Sequence, residues 1–78
     1  MKFYILTIEQ TVSDGAYSEY ANVEKVADEN LAQSKFYTKL ANVAADLGKN
    51  HTFMDIKIVN STGGVVKRDT IGSYVEEE

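Results

Sequence analysis

Apolar residues recur at Ala32, Phe36, Leu40, Val43 and Leu47, in steps of four, four, three and four. That spacing lays them on one face of a 3.6-residue helix, so the sequence predicts a long helix over 28–47. Tyr37, Ala41 and Ala44 widen the stripe, while Gln33, Lys35, Lys39, Asn42 and Asp46 take the opposite side. This is the pattern of a helix lying on a sheet. Asp28 is the natural N-cap, because its carboxylate can accept from the unpaired N–H groups of the first turn. Glu29 sits at the positive end of the helix dipole, and Gly48 supplies the left-handed residue that ends helices. Phe36 and Tyr37 could stack on a ligand, but burial of the stripe favours core packing.

The strand patterns on either side differ. Over 2–12, Phe3, Ile5 and Thr7 alternate with Tyr4, Leu6 and Ile8. Both rows are apolar, which predicts a strand covered on both faces. Over 52–60 the alternation is clean: Met54, Ile56 and Ile58 point one way and Asp55 and Lys57 the other, flanked by Phe53 and Val59. Asn60-Ser61-Thr62-Gly63-Gly64 reads as a hairpin turn, and residues 65–71 return as a strand. Its Lys67-Arg68-Asp69 centre has the composition of a protected edge. Ser13-Asp14-Gly15 is turn chemistry. Residues 16–27 fit neither period. Either the helix begins near Ser18 and runs through, or an extended segment over 22–26 precedes Asp28; the capping signal favours the second. Residues 72–78 read as a frayed tail, in which Tyr74 and Val75 could still pack.

The fold class expected is α+β: a single small β-α-β-β domain over 1–75, with a three-stranded sheet and one long helix packed on one face, followed by an acidic tail at 76–78. A right-handed crossover through the helix would join the first strand to a parallel neighbour; the first strand is expected to be central, the other order being one with the third strand inserted between the other two. One helix covers one face only. On the other face, strand alternation groups Phe3, Ile5, Phe53 and Val59, and such an exposed apolar patch marks an interface.

Composition strengthens that expectation. A 78-residue chain has a core supplying at most ~3–5 kcal/mol of net stability. There is no cysteine, hence no disulfide or thiolate metal site, and oligomerisation is the remaining common staple. A homo-oligomer, with a dimer favoured, or an unidentified protein partner is therefore expected. The lack of cysteine suits a reducing cytoplasm. Glu9 and Gln10 end the first apolar run too early for a signal peptide, and no run reaches the ~18 apolar residues of a membrane span. The net charge is −4, and Glu76, Glu77 and Glu78 supply three of those charges. The rest carries 8 basic against 9 acidic residues, with no basic cluster for phosphates, which argues against nucleic acid. A near-neutral body also disfavours an acidic decoy for nucleic-acid-binding proteins.

The chemical inventory is short. His51 is the single histidine and is expected in an exposed loop near the helix C-terminus, where its cationic form suits the dipole. One histidine without cysteine does not make a zinc site. Ser61, His51 and Asp55 lack the spacing of a triad, and Gly63-Gly64 is not followed by the lysine and hydroxyl of a phosphate loop. Asp28-Glu29 and the glutamate tail read as a cap and a solvated end rather than a cation site. Amino-terminal-proline chemistry is excluded, since the chain has no proline. No catalytic, metal or cofactor residue is assigned.

Ile8-Glu9-Gln10-Thr11, the helix residues Asp28, Ala32 and Phe36, and Asn60-Ser61-Thr62-Gly63-Gly64-Val65 with Lys67 resemble a loose set of uncharacterised short proteins of bacterial and prophage-type genomes. That resemblance implies an accessory or structural role. The β-α-β-β order is also similar to dodecins, small flavin-storing shells, but no tryptophan is present to stack on a flavin, so the likeness stops at topology. The functional expectation is a non-enzymatic interaction or oligomerising module. The alternative is a small-ligand binder or minor enzyme with a site at a subunit interface lined by Tyr4, Tyr17 and Tyr20.

Overall fold

The computed structural model describes residues 2–76; Glu77 and Glu78 of the expected acidic tail lie outside the described residues. The fold is α+β, as expected, but the sheet has four strands rather than three. They are β1 (Phe3–Ser13), β2 (Ala16–Val26), β3 (His51–Asn60) and β4 (Val65–Gly72), with α1 (Glu29–Asp46) between β2 and β3. The sheet order is β2-β1-β3-β4 and every neighbouring pair is antiparallel.

The additional strand is β2, which occupies the stretch that fitted no period. Asp14 and Gly15 both have positive φ, 54° and 78°, the conformation of a two-residue type I′ hairpin. The register then runs unbroken from Ser13↔Ala16 to Phe3↔Val26. Because the hairpin reverses the chain before the helix, β1 and β3 are antiparallel, not parallel as the three-strand reading required. The crossover instead connects β2 to β3, which run in the same direction on either side of β1. The first strand is interior, as its two apolar rows implied.

The helix begins and ends as its sequence dictates. Asp28 has extended backbone, and its carboxylate accepts from the Asn30 N–H at 3.3 Å. Gly48, just past the C-cap Leu47, has φ 82°. Ala32, Phe36 and Val43 are buried, with Leu40 partly so, against Phe3, Ile5, Val26, Met54, Ile56 and Ile58. Phe36 is thus a core residue. Tyr37 is half exposed and meets Phe36 edge-on at 5.3 Å between ring centres, with the Lys67 ammonium 5.3 Å above its ring. Among the described residues, no helix is long and apolar enough to cross a membrane.

The register corrects the expected interface. Ile5 opposes Ile58, and Phe3 opposes Val26, so Phe3 and Ile5 belong to the buried row under the helix. Phe53 and Val59 alternate with buried Met54 and Ile58 and lie on the other face. The four residues therefore do not form one patch. Since β1 is apolar in both rows, its alternation carries no information about which row meets the helix.

Candidate functional site

Three features outside the apolar core are candidates: a polar cluster under the helix, the uncovered sheet face, and the sheet edges. The cluster begins with Glu9, which continues the buried row Phe3, Ile5, Thr7 and is only 7% exposed. A carboxylate in that position requires partners. Lys39 of α1 supplies one, with Nζ 3.2 Å from Oε2, and His51 Nε2 lies 3.0 Å from Oε1. The other ring nitrogen of His51 lies 2.6 Å from Asp46 Oδ2 at the helix end. Asn50 donates to Asp46 at 3.4 Å. The hydrogen bond with His51 is the main influence holding the Asp46 carboxyl below its ordinary value, helped by Asn50 and the charges of His51 and Lys49 and opposed by desolvation. An imidazolium donates to both carboxylates, whereas a neutral ring turns a lone pair towards one of them. With both nitrogens engaged, His51 has none left to take a proton from a substrate. The cluster is a clasp joining α1, β1 and β3.

His51 is therefore not the exposed loop residue that its position suggested; it starts β3 and is half-buried. The available signal was Glu9, a carboxylate in an otherwise apolar row. Its partner lies 42 positions away, and no local rule connects them. Ser61, His51 and Asp55 are not brought together. Asp55 accepts instead from Arg68 Nε at 2.9 Å and the Thr70 hydroxyl at 2.8 Å. Burial pushes its carboxyl up, but those hydrogen bonds and the charges of Arg68 and Lys57 outweigh it, leaving the carboxyl below its ordinary value. Among the described residues, no three histidine or acidic side chains are arranged to hold a metal ion.

The open face divides into two ends. At one end the chain after β4 crosses back over it. Gly72 has φ 74°, and a Cβ there would collide with the Thr52 carbonyl oxygen, so glycine is required at this bend. The Gln10 side chain then pairs with Val75 as a strand would, donating to its carbonyl and accepting from its N–H, both at 2.8 Å. Tyr74 packs edge-on against Phe53 at 5.7 Å and donates to Glu19 at 3.0 Å. Residues 73–75, expected to fray, are a strap. At the other end, Leu6, Ile8, Ala21 and Val23 surround a shallow depression of about 170 Å³ walled by Asp55 and Lys57. A second depression, about 130 Å³, lies between α1 and β2 and is lined by charged groups, including Lys35, which pairs with Glu24 at 2.6 Å. The three tyrosines do not share a face: Tyr4 and Tyr17 follow the open row, whereas Tyr20 opposes buried Glu9 and meets the Thr11 hydroxyl at 3.0 Å.

The sheet edges are the third feature. Helix α1 packs chiefly on β1 and β3 and leaves both edge strands, β2 and β4, largely bare. Of the eleven residues of β2, only Val26 is buried. Val23 is 61% exposed and Tyr20 52%. Among the described residues, β2 pairs with β1 alone. It thus exposes both faces and one edge, with no bulge in its register. Compared with known proteins, the chain matches no family model, no curated protein and no solved structure.

Proposed function

We propose that this chain is a non-enzymatic interaction module that self-associates as a homodimer, and that strand β2 carries the contact. The supporting observation is that β2, exposed on both faces and one edge, pairs in an unbroken register over eleven residues with an uncharged centre, whereas the equally exposed β4 is shorter, shifted in register and charged at its centre. A strand held by one neighbour and almost no side-chain burial gains little from the fold it belongs to. A second copy would supply the missing pairing. The apolar group Leu6, Ile8, Ala21 and Val23 lies on the open face beside this edge, so a partner paired along β2 adjoins the patch. The engagement of both His51 nitrogens favours a non-catalytic reading over the minor-enzyme alternative. The separation of Tyr20 from Tyr4 and Tyr17 weighs against a tyrosine-lined ligand site.

The test is the solution mass by light scattering across a dilution series. A mass twice that of the chain, falling towards the monomer on dilution, is expected. A folded monomer at every concentration would contradict the proposal.

A further inference from the structure

The bare edge of β2 has a definite hydrogen-bonding pattern. In a two-residue hairpin the closing pair exchanges both backbone hydrogen bonds, and bonded and non-bonded pairs alternate from there. The closing pair is Ser13 and Ala16. Ala16, Ser18, Tyr20, Asn22, Glu24 and Val26 therefore aim their backbone groups at β1. Tyr17, Glu19, Ala21, Val23 and Lys25 aim theirs outward. A second copy adding antiparallel to this edge must oppose outward residues to outward residues.

Few symmetric registers satisfy that condition, and side-chain charge separates them. A two-fold axis at Ala21 sets Glu19 against Val23 and Lys25 against Tyr17. An axis at Val23 sets Lys25 against Ala21, and an axis at Tyr20 sets Glu19 against Ala21. An axis at Asn22 sets Glu19 against Lys25 twice and Ala21 against Val23 twice. It alone pairs opposite charges and apolar with apolar, the combinations that stabilise cross-strand neighbours. Tyr74 already bonds one Glu19 oxygen and holds that carboxylate on the open face, the face that Lys25 shares by alternation.

We propose that two copies join edge to edge through β2, antiparallel and centred on Asn22, into one eight-stranded sheet. This rests on the self-association reading and specifies its partner and register. The axis is normal to the sheet, so both open faces lie on the same side. The Ala21 and Val23 side chains of the two copies meet there and merge the two apolar patches into one band.

Asn22→Cys tests the register, in a protein that otherwise has no cysteine. The Asn22 residues form a non-hydrogen-bonded pair across the axis, with Cα atoms about 4.5 Å apart, within disulfide reach. Mild oxidation is expected to convert Asn22→Cys to a linked dimer, while Ser18→Cys, set against Val26 of the partner, stays unlinked. Lys25→Glu is expected to weaken the dimer about tenfold by setting like charges together twice, and adding Glu19→Lys should restore it. A dimer by light scattering in which Asn22→Cys does not link would overturn this register, including in favour of face-to-face stacking, while leaving self-association intact. A monomer throughout would remove both.

Discussion

The two edges of the sheet are built on opposite principles. β4 is short, with eight residues. It carries a register shift opposite Ile58 and Val59 and places Lys67, Arg68 and Asp69 at its centre. Short length, a bulge and central charge are the devices by which sheets discourage further pairing. β2 is eleven residues long and regular throughout its pairing with β1. It has no proline, and its central Tyr20-Ala21-Asn22-Val23 is uncharged. One edge is closed against other chains and the other is left receptive. Side-chain burial does not separate the two edges, since only Val26 of β2 and no residue of β4 is buried; length, regularity and central charge do, and beyond β4 the chain folds back as the Gly72–Tyr74–Val75 strap.

The largest separation between the two halves should appear in stability. Ile56→Ala, in a strand buried under α1, is expected to cost about 2–5 kcal/mol in urea unfolding. Val23→Ala in dilute solution should change stability by less than ~0.5 kcal/mol. Equal losses would mean that β2 is covered in the isolated chain. Next in size is the strap. Gly72→Ala combines a strained φ with a backbone collision and should cost about 1–3 kcal/mol. The near-ultraviolet circular dichroism of the Phe53–Tyr74 ring pair should weaken with it. Ala21→Pro should be milder for the monomer, under ~1 kcal/mol, because the missing N–H points outward. It should nevertheless abolish the dimer in light scattering. Asn22→Pro, whose N–H points to β1, should unfold the hairpin instead. That pair of substitutions separates the edge from the strand's own integrity.

The smallest effect expected is that of pH. Asp46 and Asp55 both titrate below their ordinary value of 3.8 in the folded chain. The unfolded state therefore takes up these protons first as pH falls. Their stabilisation is complete well above pH 3.8 and is lost as pH drops through the lowered folded values. Asp46→Asn should flatten the acid limb of a stability-against-pH curve measured by urea unfolding, while leaving the dimer interface unaffected.

The helix was legible because Ala32, Phe36 and Val43 are all buried on one side and Asp28 and Gly48 mark its ends. β3 and β4 were legible because one is cleanly alternating and the other is charged at its centre. β2 was legible only in its last part, where the Asp28 cap favours an extended segment over 22–26 that lies within the strand; the rest was not, because the apolar alternation that reveals a strand comes from burying one face, and of β2 only Val26 is buried. The failure of periodicity at residues 16–27 is the same fact as the exposure of β2. Ser13-Asp14-Gly15 signals a turn, but with no alternation after it nothing identifies that turn as a hairpin. The placement of Phe3 and Ile5 failed because both rows of β1 are apolar. The Glu9–His51 and Gln10–Val75 hydrogen bonds join residues 42 and 65 positions apart, beyond the reach of any local pattern.

Amide hydrogen exchange at low and high protein concentration tests the receptive edge most directly. In dilute solution the Ser18, Tyr20, Asn22 and Glu24 amides should be protected by β1, while those of Glu19, Ala21, Val23 and Lys25 exchange rapidly. At concentrations where the mass has doubled, this second set should become protected, with the outward amides of β4 unchanged. Rapid exchange of Glu19, Ala21, Val23 and Lys25 in the fully associated state would contradict pairing through β2.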